Sequence, residues 1–171
     1  MASAFDQAIQ PWHEFYTLMG SSSATLLGLL FVSVSMHLDA LTGDARLLAH
    51  ETFSQFFLLL LLAAICLVPG LAPPLFGLAL LLLGSIAAVR QVRHRLRPRV
   101  GFPHPWRRDL FPALAYVVLL GTGIAAWVTG AAPMHGLLAV SLLLISQATL
   151  NAWEMLVYLG ARTHATPSDA R

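Results

Sequence analysis

Apolar positions along this chain come in long runs rather than at regular intervals. Five stretches are apolar through most of their length: 18–38, 53–69, 73–89, 110–129 and 135–159. Crossing the hydrocarbon layer takes about 20 such residues in a helix, and a helix satisfies its own backbone where no water can. The pattern therefore predicts an all-α integral membrane protein with five transmembrane helices. The second and third stretches are short and meet at the turn VPGLAPP, residues 68–74. Two thin spans and a re-entrant hairpin both fit that pair. Little chain is left over, so 1–171 reads as a single polytopic membrane domain without an internal repeat. An odd number of spans also argues against a simple duplication. Ahead of the first span, apolar residues recur at Phe5, Ile9, Trp12 and Tyr16. That spacing predicts a short N-terminal interfacial helix, interrupted near Pro11.

Composition sharpens this reading. Hydrophobic residues make up 57% of the chain and charged residues 11%, against about a quarter charged in a soluble domain. All ten basic residues are arginine, and seven crowd the loop 90–108: Arg90, Arg93, Arg95, Arg97, Arg99, Arg107 and Arg108. The positive-inside rule places that loop in the cytoplasm. Threading outward gives an external N-terminus and a cytoplasmic C-terminus, with Arg46, Arg162 and Arg171 also inside. The loop is expected to touch anionic lipid head groups. With three prolines and no folded module, it is not expected to bind nucleic acid. The first seventeen residues hold Asp6 and Glu14 but no Lys or Arg, which is unlike a signal peptide. The lone Cys66 lies in an apolar run and reads as a small buried hydrophobe.

Polar residues inside the spans carry the candidate chemistry. The first span reads GSSSATLLGLLFVSVSMH over 20–37, with Gly, Ser or Thr at eight of eighteen positions. Ser21, Thr25, Gly28, Val32, Ser35 and Asp39 follow one another at helical spacing and share a face. Leu27, Phe31, Val34 and Leu38 form a bulkier one. Small residues let helix backbones approach, and hydroxyls in a row can also line a permeation path. The fifth span carries Gln147, Asn151, Glu154 and Tyr158 on one face. Polar groups inside a span are costly and point inward. With His37 at the end of the first span, this stripe is a candidate ion or proton site. His50 and Glu51 fall at the same expected depth. No His-x-x-x-His pair occurs, so a metal is left open, and no cofactor is implied. No Gly-x-Ser-x-Gly elbow or legible triad occurs, and no enzyme activity is expected. Leu58–Leu62 in the second span read as lipid-facing, with the first, fourth and third helices innermost.

The run WHEFYTLMGSSSATLLGLLFVSVSMH, residues 12–37, resembles the opening of an uncharacterised group of small bacterial multi-span proteins. In these an aromatic pair leads into a small-residue helix that ends in Gly-Leu-Leu-Phe-Val and a Ser-rich tail. The resemblance implies a bacterial inner (plasma) membrane location and no particular activity. SSSATLLGLLFVSVSMHLDA is similar in composition to the pore helix of Orai-type calcium channels, which also runs from small residues to an Asp. That family's pore glutamate has no counterpart among residues 31–38. The resulting expectation is a homo-oligomeric ion channel or permeation path lined by the small face of the first helix. The alternative is a regulatory or scaffold membrane protein that packs on a partner through the same face.

Overall fold

The computed structural model describes residues 4–36, 44–95 and 105–164. Its described residues form α1 (Ala4–Ile9), a 3-10 turn (Gln10–Trp12), α2 (His13–Met36), α3 (Asp44–Leu67), α4 (Pro73–Arg95), α5 (Pro105–Thr129) and α6 (Met134–His164). Five of these helices are long and apolar enough to cross a membrane, including α3 and α4. At 24 and 23 residues, each of that pair is roughly 35 Å long. Each therefore matches the hydrocarbon thickness alone, a length a re-entrant hairpin does not need. Proline opens α4, where its fixed φ suits a first turn. Gly130 directly follows α5 and Gly70 lies in the turn after α3, at φ 65° and 66°, the left-handed conformation that lets a chain turn sharply.

Neighbouring helices run antiparallel. Gly77 of α4 meets Trp127 of α5, and Gly84, two turns on, meets Leu120. Gly20 of α2 packs on Ala63 of α3. At the other end of that pair, Leu30 and Val34 pack against Ala49 and Met155. Close approach between α4 and α5 depends on glycine. A Cβ on Gly77 would lie 2.7 Å from the Trp127 backbone nitrogen and 2.9 Å from the Gly123 carbonyl oxygen.

Three expectations change. First, α3 is an inner helix. Leu58, Leu59, Leu62, Ala63 and Cys66 are all buried, packed with α2 and α6. A leucine run cannot announce which way it faces, because lipid tails and protein cores are equally apolar. Second, α2 is the outer helix, buried only at Tyr16, Met19, Gly20 and Ser23. Third, the N-terminal segment seats on protein. Phe5 and Tyr16 are buried, and Phe5 meets Phe76 at the start of α4 edge-on, with ring centroids 5.3 Å apart. Trp12 meets His135 at the start of α6 in the same way, at 5.4 Å. The break near Pro11 is present as the 3-10 turn. The segment thus caps one end of the bundle, and its apolar stripe faces the helices beneath it.

Candidate functional site

Two polar features stand out. One lies on the outer face of α2. Ser21, Thr25, Gly28 and Ser35 are all outside the core, and the first three are turned away from the buried Tyr16, Met19 and Ser23. The half-buried Leu27, Leu30 and Val34 lie on the inner side with those buried residues. A Cβ added to Gly28 would meet nothing within 4 Å. Each hydroxyl on this face donates back into its own helix. Ser21 bonds the Leu18 carbonyl at 3.0 Å, Thr25 that of Ser21 at 2.9 Å and Ser35 that of Phe31 at 2.8 Å. Their donors are satisfied locally, and lone pairs remain available outward. Val32, within the stripe, is exposed, as are Leu29, Phe31 and Met36 beside it. Asp39 and His37 lie outside the described residues.

The other feature runs from the bundle core to the end where α3 begins and α4 stops. Gln147 and Asn151 of α6 are buried, and Gln55 of α3 is buried opposite them. The Gln147 amide donates to Asn151 Oδ1 at 3.0 Å, and the Asn151 amide donates to Gln55 Oε1 at 3.3 Å. This chain of amides ties α6 to α3 where the surroundings are apolar. Glu154 continues the helical spacing but is exposed and does not join the chain. One turn beyond Asn151 it is Met155, not Glu154, that faces the bundle and is buried.

Gln55 also lines a cavity of about 230 Å³ between α3, α4 and α5. Arg90 closes its polar end. The guanidinium donates to Ser54 Oγ at 2.8 Å, and the same nitrogen lies 3.4 Å from His50 Nε2. Glu51 and Tyr116 complete this end, and both Glu51 and Arg90 lie within electrostatic reach of the Tyr116 hydroxyl. The cavity's apolar walls are Phe57, Leu61, Leu83 and Ile86.

Of the arginines expected to form a loop, Arg90, Arg93 and Arg95 belong to α4, and Arg107 and Arg108 to α5. The helices therefore extend into the expected loop from both sides. Arg90 turns onto α3, while Arg93 lies at the helix surface. Arg97 and Arg99 lie outside the described residues, as do the side chains of Arg95, Arg107 and Arg108. No group of three metal-ligating side chains occurs among the described residues.

Gln55 and Ser54 are functional candidates that only the fold brings out. Their signal in the sequence is an amide and a hydroxyl in the otherwise apolar run TFSQFFLLL, where a polar side chain has to find a protein partner. Comparison with protein-family models, with curated proteins and with solved structures finds no match to this chain.

Proposed function

We propose that this protein is a homo-oligomeric membrane protein whose copies meet on the outer face of α2, enclosing a narrow permeation path for an ion. The supporting observation is the direction of the small-residue stripe. Within the chain, α2 packs through Tyr16, Met19, Gly20 and Ser23 and leaves Ser21, Thr25, Gly28 and Ser35 outward. Small residues gain nothing from facing acyl chains, whereas another helix can approach them closely. A path between several such helices would be lined by hydroxyl oxygens whose donors are already engaged, and these suit a cation. The expected setting is a bacterial inner membrane, with the N-terminus outside, the C-terminus cytoplasmic, and Arg93 and the neighbouring arginines on anionic head groups.

A second reading has one observation in its favour. Back-bonded hydroxyls also suit a dry helix contact. In that case the oligomer is a scaffold that carries no current.

Two experiments separate these. In a Cys66→Ser background, Ser21→Cys and Ser35→Cys are expected to crosslink between copies, and Ser23→Cys, on the buried face, is not. Absence of crosslinks at both outer positions in liposomes sinks the assembly. Ion flux through liposomes holding the crosslink-competent oligomer then decides the role. The path requires flux above empty liposomes that falls with Thr25→Leu, and no flux for any ion leaves the scaffold.

A further inference from the structure

The amide chain that ties α6 to α3 has a direction, and its last member lines the cavity between α3, α4 and α5. Gln147 donates to Asn151, and Asn151 donates to Gln55. The chain therefore ends at Gln55 Nε2, whose two N–H donors have no partner among the described residues. Of the side-chain polar atoms fully enclosed among those residues, only the Tyr16 hydroxyl lacks a partner. The Gln55 nitrogen is thus not sealed in protein, and on a residue only 5% exposed its outlet is the cavity. Aligned amides polarise one another, which strengthens this terminal donor. The Tyr116 hydroxyl is a second such group. Tyr116 is 8% exposed, lines the same cavity and makes no hydrogen bond among the described residues. His50 and Glu51, on the same wall, have interactions of their own and are not called on. Arg90 is exposed and already bonded to Ser54.

Two neutral donors among apolar walls call for a neutral acceptor. A carbonyl oxygen has two lone pairs and can take both. An anion between Gln55 and Tyr116 would lose its hydration without a facing charge to replace it, and would stay at the exposed Arg90 instead. The volume, about 230 Å³, is below the roughly 300–1,000 Å³ of sites that enclose a whole ligand. It suits a compact head group whose tail leaves the bundle. Phe57 and Ile86 line the cavity and are exposed on the bundle surface, which gives that tail a way into lipid. The rings of Phe57 and Tyr116 offer a flat guest aromatic walls to pack on. We propose that this cavity binds the ring of a lipid-soluble quinone. One carbonyl oxygen accepts from Gln55 and Tyr116, and the tail passes Phe57 and Ile86 into the acyl chains. The site is separate from the α2 face and does not depend on whether copies assemble there.

The test is calorimetric titration of the detergent-solubilised full chain with decylubiquinone, corrected by the same injections into protein-free micelles. Four further probes are its reduced quinol, dodecylbenzene, diolein and oleate. The quinone is expected to bind tightest. Tyr116→Phe should weaken it about tenfold yet leave unfolding unchanged, because the hydroxyl has no partner within the described bundle to lose. In infrared difference spectra the carbonyl stretch of the bound quinone should lie below its position in micelles and move back toward it in Tyr116→Phe. Ala87→Phe, on the cavity wall, should abolish binding, while Arg93→Gln, at the surface of the same helix, should leave it unchanged. Tyr116→Phe decides the matter if Ala87→Phe does not fold. Quinol binding tighter than quinone would mean that the amide chain ends in an acceptor, and would overturn the proposal. Equal binding of oleate would replace it with an anion site at Arg90, equal binding of diolein with an ester-lipid site, and equal binding of dodecylbenzene with a merely apolar one. Quinone binding that is absent, or indifferent to Tyr116→Phe, would also refute it.

Discussion

Replacing Gly77 by alanine adds one carbon and should be among the costliest small changes in this protein. The new Cβ would stand 2.7 Å from the Trp127 nitrogen, 2.9 Å from the Gly123 carbonyl oxygen and 3.0 Å from the Trp127 Cα. All three are backbone atoms, so no rotamer change relieves the contact. Comfortable carbon contacts lie at about 3.5–4.0 Å, so α4 and α5 must part by several tenths of an ångström to about 1 Å. That movement loosens the reciprocal fit of Gly123 against Leu81 and of Gly84 against Leu120. Overpacking costs about 1–3 kcal/mol, and an obstacle made of backbone belongs at the upper end. Helix propensity works the other way, favouring Ala over Gly by about 1 kcal/mol. Gly121→Ala is the matched control. It lies on α5 beside the same interface but meets nothing within 4 Å, so it should be neutral or slightly stabilising. Gly84→Ala meets only the Leu120 and Leu119 side chains, at 3.0 to 3.4 Å, and should fall between the two. Reversible unfolding in bicelles, followed by steric trapping, measures all three. If Gly77→Ala and Gly121→Ala agree within about 0.5 kcal/mol, the close backbone approach of α4 and α5 is refuted.

Other substitutions probe other parts of the bundle by the same unfolding assay. Leu62→Ala, at a fully buried site, should cost about 2 kcal/mol or more. Leu82→Ala, 56% exposed, should stay within about 0.5 kcal/mol; equal costs would return α3 to the lipid. Asn151→Leu strands both the Gln147 donor and the Gln55 acceptor. It should destabilise by about 1–2 kcal/mol and by more than Gln147→Leu, which strands only Asn151. Among the described residues the buried Tyr16 hydroxyl has no hydrogen-bond partner, so Tyr16→Phe should leave stability unchanged or raise it by up to about 1 kcal/mol; a clear loss would mean that a partner exists. Gly28→Leu has open space around it and should leave monomer unfolding within about 0.5 kcal/mol of the parent, while lowering the mass of the assembled species on a sizing column.

How legible this molecule is in its sequence depends on whether a feature is local. The spans are plain because a run of about 20 apolar residues suits little besides a membrane helix, and the Pro-Gly turn at 68–74 marks where α3 ends and α4 begins. The stripe Ser21–Thr25–Gly28–Ser35 is plain because spacing on one helix is fixed by its geometry. What that stripe faces is not local. Its direction follows from how α2 rotates on α3, and that depends on Gly20 meeting Ala63 and on Tyr16 filling the space beside Cys66. The same limit applies to Leu58 and Leu62, whose chemistry suits lipid and core alike. Only the α6 side of the amide network is visible in the sequence. Gln147 and Asn151 stand out at helical spacing on α6, whereas their partner Gln55 sits alone among phenylalanines, with nothing local to say what it meets. Arg90 reads as the start of a basic loop, although α4 continues past it to Arg95.

The packing of Phe5 on Phe76 has a consequence for biosynthesis. Phe5 is held by a side chain that leaves the ribosome much later, at the start of α4. Until the α3–α4 hairpin is in place, Phe5 has no seat, so its docking comes well after its synthesis. A probe near Phe5 would therefore report completion of the bundle rather than entry of the first helix. A half-made chain that stalls before α4 would expose Phe5 and Trp12 together, an apolar mark by which quality control could tell it from the finished protein.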